Sequence, residues 1–270
     1  MVAQITSPQN PRVKRVARLG ASRRLRERER LTVVEGRREV RRCLDAGLVP
    51  REAYICPEQL SPEDRDLLDR LRVLARERGT WLAQVSPEAF ARMAYREESS
   101  GLVLVVPYWV RPLAEIPLRE PAFLAVVESP EKPGNLGAIL RSADGAGVDG
   151  LILCGSGTDV HNPNVVRASL GTCFAVATAQ TSTAEAIHWL QARGIQIVAA
   201  TPQGAIRYTQ ADYRGPVAVI TGSEAHGLSP AWLQAADVRA YIPMHGVADS
   251  LNLAISTALL LYEAVRQREG

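Results

Sequence analysis

The sequence predicts an α/β protein in two parts, and three observations carry that prediction. Short apolar runs of strand type alternate with segments of helical periodicity along the chain. The runs in the second half are almost wholly apolar, the pattern of parallel strands buried on both faces. Between the halves, 107–121 reads PYWVRPLAEIPLREP. Its prolines remove backbone donors and pin φ, so this stretch is read as a linker or extended crossing and not a helix. The expected domains are 1–106 and 122–270, and 270 residues suit two modest domains.

In the first part, Asn10–Gly20 and Ala21–Arg30 read as helices and Leu31–Glu35 as a strand. Arg37–Ala46 is a helix stopped by Gly47. Glu52–Cys56 is a strand. Ser61-Pro62-Glu63-Asp64 combines an N-cap, a first-turn proline and first-turn acids, and Leu67, Leu68, Leu71 and Leu74 carry the helix on toward Gly79. Trp81–Val85 (strand), Pro87–Met93 (helix) and Leu102–Val106 (strand) complete a three-layer α/β/α unit. After the seam the expected strands are Ala122–Val127, Leu151–Cys154, Phe174–Ala177, Ile195–Ala200, Val217–Thr221 and Arg239–Ile242. The expected helices are Leu136–Ala146, Asn164–Leu170, Thr183–Ala192, Pro230–Ala235 and Leu251–Arg268.

Composition excludes several classes. No apolar run reaches the ~18–20 residues of a membrane span. The segment Met1–Pro8 lacks the apolar core of a secretory signal. Cys43, Cys56, Cys154 and Cys173 are widely spaced, which argues against a metal ribbon or disulfide scaffold and suits a reducing cytoplasm. No metal-ligand pattern is read. The net charge of +3 divides into +6 over residues 1–107 and −3 over 108–270, with +9 in the first 42. Thirty of the 32 basic residues are arginine. A compositional bias of the genome would give the same ratio, but not the clustering. Arginine forks phosphates and stacks on bases, so the arm is read as RNA-binding, with Lys14, Arg23, Arg24, Arg26 and Arg37 as candidate contacts.

Gly145-Ala146-Gly147-Val148-Asp149-Gly150 matches a dinucleotide fingerprint by letter. Such a loop must follow a strand and open a helix. Here it follows a helix and precedes a strand, so it is read as a helix stop and turn. No Walker A, H-E-x-x-H or G-x-S-x-G motif is present.

Three other constellations stand out. Pro133-Gly134-Asn135-Leu136-Gly137-Ala138-Ile139-Leu140-Arg141 follows a strand, where open α/β sheets place ligands. Asn135 reads equally as a helix N-cap or a site residue. Arg141 needs an anionic or polar partner. Thr221-Gly222-Ser223-Glu224-Ala225-His226-Gly227-Leu228 follows a buried strand, with glycines that permit close backbone approach. Ile242-Pro243-Met244-His245-Gly246-Val247-Ala248-Asp249-Ser250-Leu251-Asn252-Leu253 opens the terminal helix. Ser250 or Asn252 as a plain N-cap is the competing reading there. The terminal helix is apolar on most sides, which implies central burial or a partner subunit.

In this order and spacing, the three constellations resemble the signature motifs of the SpoU/TrmH family of RNA 2′-O-ribose methyltransferases, in the SPOUT superfamily. Asn162–Gly171 resembles the family segment between the first two motifs. Ile5–Lys14 with Val33–Gly36 resembles the N-terminal substrate-binding domain of its rRNA-modifying members. Lys132 and Asp249 depart from the usual Asp and Glu.

The resemblance implies a parallel-sheet domain threaded into a deep trefoil knot, a homodimer through that domain, and S-adenosylmethionine as cofactor. It implies catalytic roles for Arg141, Asn135, Glu224, Ser250 and Asn252. The implied cofactor residues are Thr221, Gly222, Ser223, Gly227, Ile242, Met244, Ser250, Leu251 and Leu253, and Arg167 is an implied RNA clamp. The expected activity is methylation of a ribose 2′-OH in RNA, with large-subunit rRNA favoured by the N-terminal domain. A tRNA enzyme of the same family, or a non-catalytic RNA-binding or ribosome-assembly protein, are the alternatives.

Overall fold

The computed structural model describes residues 3–95 and 100–270, which divide into two units. The first unit is built on β1 (Ala3–Ile5), α1 (Pro11–Ala21), α2 (Arg23–Glu29), β2 (Leu31–Glu35), α3 (Arg37–Asp45), β3 (Glu52–Ile55), α4 (Arg65–Glu77), β4 (Trp81–Val85), α5 (Pro87–Met93) and β5 (Leu102–Pro107). Local chemistry sets the helix starts. Asn10 Oδ1 accepts the Arg12 N–H ahead of Pro11, Ser22 caps α2, and Ser86 caps α5 ahead of Pro87. The five strands lie in the order β1-β4-β3-β5-β2, with β5 antiparallel to both neighbours. One sheet face buries Val33, Tyr54, Val85, Val103 and Val105 against Val13, Val16, Leu19, Leu25 and Phe90 of α1, α2 and α5. On the sheet, α3 packs against β2 and β5, and α4 against β4. Ion pairs zip α3 to the start of α4: Arg37 to Asp64 at 2.5 Å, Arg70 to Asp45 at 2.6 Å, and Arg41 to Asp66.

The second unit holds β6 (Phe123–Glu128), α6 (Pro133–Gly145) and β7 (Gly150–Cys154). After a short helix, α7 (Pro163–Ala168), come β8 (Thr178–Thr181), α8 (Thr183–Gln191), β9 (Gln196–Ala200), β10 (Ile206–Arg207), β11 (Val217–Thr221), α9 (Pro230–Ala235), β12 (Val238–Tyr241) and α10 (Leu253–Glu269). All seven strands are parallel, in the order β10-β12-β9-β11-β6-β7-β8. Leu124, Val126, Ile152, Ile197 and Ile220 pack against Trp189, Leu190 and Trp232 of α8 and α9. Helices α6 and α10 pack together and run parallel. At their starts Asn252 donates to Asn135 at 3.1 Å, and ten residues on a Cβ at Gly145 would lie 2.7 Å from the Tyr262 hydroxyl. Gly145 ends α6 and Gly150 opens β7, so the glycine triplet is a turn.

One expected strand needs correction, and the structure adds detail to two other expectations. First, Phe174–Ala177 is not a strand; a 3-10 turn ends at Phe174 and β8 starts at Thr178. Phe174 is buried because its ring packs edge-on against Trp109, 4.7 Å between centroids. Second, within 122–270 the strap Asp159–Phe174 groups with the first unit. That strap is held by polar and aromatic contacts. Arg26 pairs with Asp159 at 2.9 Å, Thr32 Oγ1 donates to the His161 carbonyl, and His161 stacks on Tyr108 at 3.4 Å. Third, of the two readings of 107–121, the extended crossing is the one the contacts match. Pro107 ends β5, the Arg111 N–H donates to Thr178 O at 3.0 Å, and Ile116 is buried.

Candidate active site

The site forms where parallel strands end, as open α/β sheets dictate. Strand β11 closes at Thr221, whose hydroxyl pairs with Thr257 of α10 at 3.0 Å. The chain then turns back as a small hairpin, with Ser223 and Gly227 exchanging two backbone hydrogen bonds of 3.0 Å. The turn requires Gly222: a Cβ there would lie closer than 3.0 Å to the Gly227 carbonyl group and to Leu228 N. A cavity of about 460 Å³ opens beside it, at the carboxyl ends of β9, β11 and β12. That volume is in the range of small-molecule pockets. Thr221, Gly222, Ser223, Gly227, Ile242, Met244, Ser250, Leu251 and Leu253 all line it, as does Glu224. Asp249 of the third motif also lines it, as do Thr201, Pro202, Tyr241 and Ser256, which lie outside the motifs. Thr201–Pro202 and Tyr241 sit at strand ends, and that position was the available signal.

A directional chain of polar side chains stands at this cavity's edge. Glu224 Oε1 accepts from Asn135 Nδ2 at 2.5 Å, and Asn135 Oδ1 accepts from Asn252 Nδ2 at 3.1 Å. Asn252 Oδ1 in turn accepts the Ala254 N–H at 2.9 Å and caps α10. A carboxylate only accepts, so Glu224 orients both amides in sequence. Partial burial opposes the charge on Glu224, but hydrogen bonds from the Glu131 N–H and the Asn135 amide outweigh it and hold the carboxyl below its ordinary value. Asn135 is therefore not an N-cap: Lys132 precedes the helix and Asn135 is its third residue. Asn252 is both cap and site residue. Ser250 lines the cavity without entering the chain.

Arg141 lies on α6, exposed, with no hydrogen-bonding or ionic partner among the described residues. The candidate RNA contacts separate into three groups. Arg26 is 2% exposed and committed to Asp159 and to the carbonyls of Leu19 and Gly20, so it cannot meet a phosphate. Arg37 spends its donors on Asp64, Glu63 and Ser61, and Arg23 pairs with Glu27 at 2.7 Å. Lys14, Arg24 and Arg167 are exposed and unpaired among the described residues. Within the same described set, no helix is long and apolar enough to cross a membrane.

Comparison with known proteins gives this arrangement a lineage. A family model described as the SpoU rRNA Methylase family matches residues 122–262, and an MRM3-like substrate binding domain matches 10–104. A 23S rRNA (uridine(2479)-2′-O)-methyltransferase of Streptomyces viridochromogenes is 33% identical, covering 98% of this chain and 92% of the relative. The AdoMet-bound rRNA methyltransferase from Sinorhizobium meliloti superposes with a TM-score of 0.90 at 32% identity, over 98% of both chains. A tRNA (guanosine(18)-2′-O)-methyltransferase of Escherichia coli is 33% identical, but over 56% of this chain and 66% of the relative. With its second unit carrying the parallel sheet, hairpin and polar chain described above, the protein belongs to the SpoU rRNA methylase family.

Proposed function

We propose that this protein transfers a methyl group from S-adenosylmethionine to a ribose 2′-OH of RNA, with 23S rRNA as the substrate. The observation that carries the reading is the Asn252–Asn135–Glu224 chain at the rim of a cavity lined by all nine residues expected to hold the cofactor. The cavity suits that group. Ile242, Met244, Leu251 and Leu253 offer apolar surface, while Thr221, Ser223 and Ser250 offer hydroxyls. When bound, the cofactor supplies an activated sulfonium methyl.

The chain's own residues then have to align a nucleophile and allow a proton to leave. Glu224 fixes the Asn135 amide, so the start of α6 is held still. Arg141, without a protein partner among the described residues, grips the target phosphate and polarises the 2′-OH; a guanidinium offers only donors and does not serve as the base. The proton leaves late, to water. Ser250 supports the substrate, and Lys14, Arg24 and Arg167 contact phosphates. The rRNA reading is supported by the Streptomyces relative, which spans both units, whereas the tRNA relative matches only about half the chain.

A knotted catalytic domain and a homodimer belong to this proposal. Ile255 and Tyr262, 52% and 51% exposed, form an apolar stripe on α10 that a second copy would cover. Four free, buried cysteines suit the cytoplasm. The test is methylation of rRNA and tRNA fragments with labelled cofactor, followed by mapping of the ribose methyl. Wild type labels a 23S fragment at a 2′-O position, and Arg141→Ala loses transfer while binding cofactor within a few fold. Labelling of tRNA alone, or near-native transfer by Arg141→Ala, overturns the corresponding part.

A further inference from the structure

Two carboxylates outside the motif residues hold the Ser223–Gly227 hairpin from the side of β6. Glu128, the last residue of that strand, is buried and accepts the Ser229 N–H at 2.7 Å, the Ser229 hydroxyl at 2.9 Å and the Thr183 hydroxyl at 2.8 Å. Glu131 reaches the hairpin's tip. Its Oε1 accepts the Ala225 N–H at 3.2 Å, and its own N–H donates to Glu224 Oε2 at 2.9 Å. The turn carrying Glu131 is braced in its turn. Thr158 donates its backbone N–H to Pro130 O and its hydroxyl to Glu131 O, both at 2.6 Å. Neither carboxylate has an ion-pair partner among the described residues.

This arrangement has a mechanical consequence. The hairpin's own bonds are the two backbone bonds and one from the His226 N–H to Ser223 Oγ at 3.0 Å; all stay within the hairpin, so its height above β11 is set by outside anchors. Glu128 anchors Ser229, two residues beyond it, and Glu131 anchors its tip. Both Glu224 oxygens are also engaged, one by Asn135 and the other by the Glu131 N–H. A hairpin that tips away from Glu131 draws Glu224 from Asn135 and moves the cavity wall formed by Ser223, Glu224 and Gly227. We infer that Glu128 and Glu131 are positioning residues, a two-point carboxylate clamp that sets the hairpin against Asn135 and so holds the site in register. The kinetic part of this inference rests on the methyl-transfer reading; the clamp itself does not.

The experiment compares Glu131→Ala with Glu131→Gln in the full chain. Glutamine keeps an oxygen that accepts the Ala225 N–H, whereas alanine removes it. Amide hydrogen exchange over residues 222–230, without cofactor, is the direct readout. Glu131→Ala speeds exchange there by roughly tenfold, the scale of a lost charge-assisted hydrogen bond, and Glu131→Gln by less than about threefold. Melting temperature stays near wild type in both, because Glu131 is exposed. With RNA and S-adenosylmethionine, Glu131→Ala lowers kcat about tenfold with KM for RNA little changed, and Glu131→Gln restores most of it. Glu128→Gln, which turns an N–H toward one of three donors, speeds exchange at Ser229, just past the hairpin. Unchanged exchange in Glu131→Ala overturns the clamp. Faster exchange with native kcat, or equal defects in the alanine and glutamine variants, overturns the positioning role. If wild type methylates no RNA, the methyl-transfer reading fails, and exchange still decides whether the clamp exists.

Discussion

Replacing Arg26 by Gln separates a buried strut from an RNA contact. The guanidinium makes three bonds: to Asp159 Oδ2 at 2.9 Å, to Leu19 O at 2.9 Å and to Gly20 O at 3.1 Å. The two carbonyls belong to the last turn of α1, where helix acceptors need outside donors. On the other side, burial opposes ionisation of Asp159, but hydrogen bonds from His161 and Arg26 outweigh it and hold the carboxyl below its ordinary range. Removing one member of a buried pair leaves the other charge uncompensated, at a cost of about 3–5 kcal/mol. For a unit of this size that corresponds to roughly 10–20 °C in melting temperature. Scanning calorimetry reads the loss, and RNA binding across a salt series reads the contact. The expected result is a large fall in Tm with an unchanged slope of log K against log salt. Asp159→Asn loses a similar amount, and the double variant loses less than the sum, because the two act as one pair. A Tm within about 2 °C of wild type, together with a salt slope reduced by about one, would refute the strut.

Gly222→Ala drives a methyl into the Gly227 carbonyl region and forces the Ser223–Gly227 bonds apart. Overpacking of about 1–3 kcal/mol falls on the cavity wall, so calorimetric Kd for S-adenosylmethionine rises about fivefold or more by the same energy scale; native affinity sinks the idea. Asn135→Asp sets a carboxylate against Glu224 where an amide donor stood at 2.5 Å. Methyl transfer is then lost more severely than in Asn135→Ala, and equal losses mean that Glu224 does not orient the amide. His161 carries a pH signature. Burial, the largest influence, holds its pKa below the ordinary value despite Asp159 alongside. Its folded form stays neutral while the unfolded chain protonates, so stability is whole above about pH 6.5 and declines as pH falls from there toward the lowered folded value. His161→Phe, which keeps a ring against Tyr108, flattens that decline in urea melts taken at several pH values; an identical pH profile rules it out.

Much of the site was legible because motif chemistry and strand ends coincide. Gly222 and Gly227 mark a close backbone approach by residue type alone. The apolar lining residues stand beside Ser250 and Asn252 in one short stretch. What periodicity could not tell was which arginines are free. Arg26, Arg37 and Arg41 look alike in a basic arm, yet their carboxylates lie 25 to 133 residues away in sequence. The misplaced strand at Phe174–Ala177 has a related cause. Its apolar residues are buried by packing of the strap, while the true edge strand β8 exposes Gln180 and so reads as polar. β10, with two residues, is too short to leave a pattern. Asn135 had two readings by residue type, and the structure separates them: it stands inside the helix, not at its cap, with its amide turned to Glu224.

The strap 159–174 also governs how this protein can be made and divided. Synthesis runs from the N-terminus, and domains commonly fold as they emerge. Here the first unit cannot finish when Trp109 leaves the ribosome, because Asp159, the counter-charge of Arg26, has not yet been translated. By the time Phe174 is translated, the residues of β6 and β7 of the second sheet have already been made. The two units must therefore mature together. A clone ending at the seam would leave Arg26 charged and unpaired in the interior, and a fragment starting there would carry an orphaned strap.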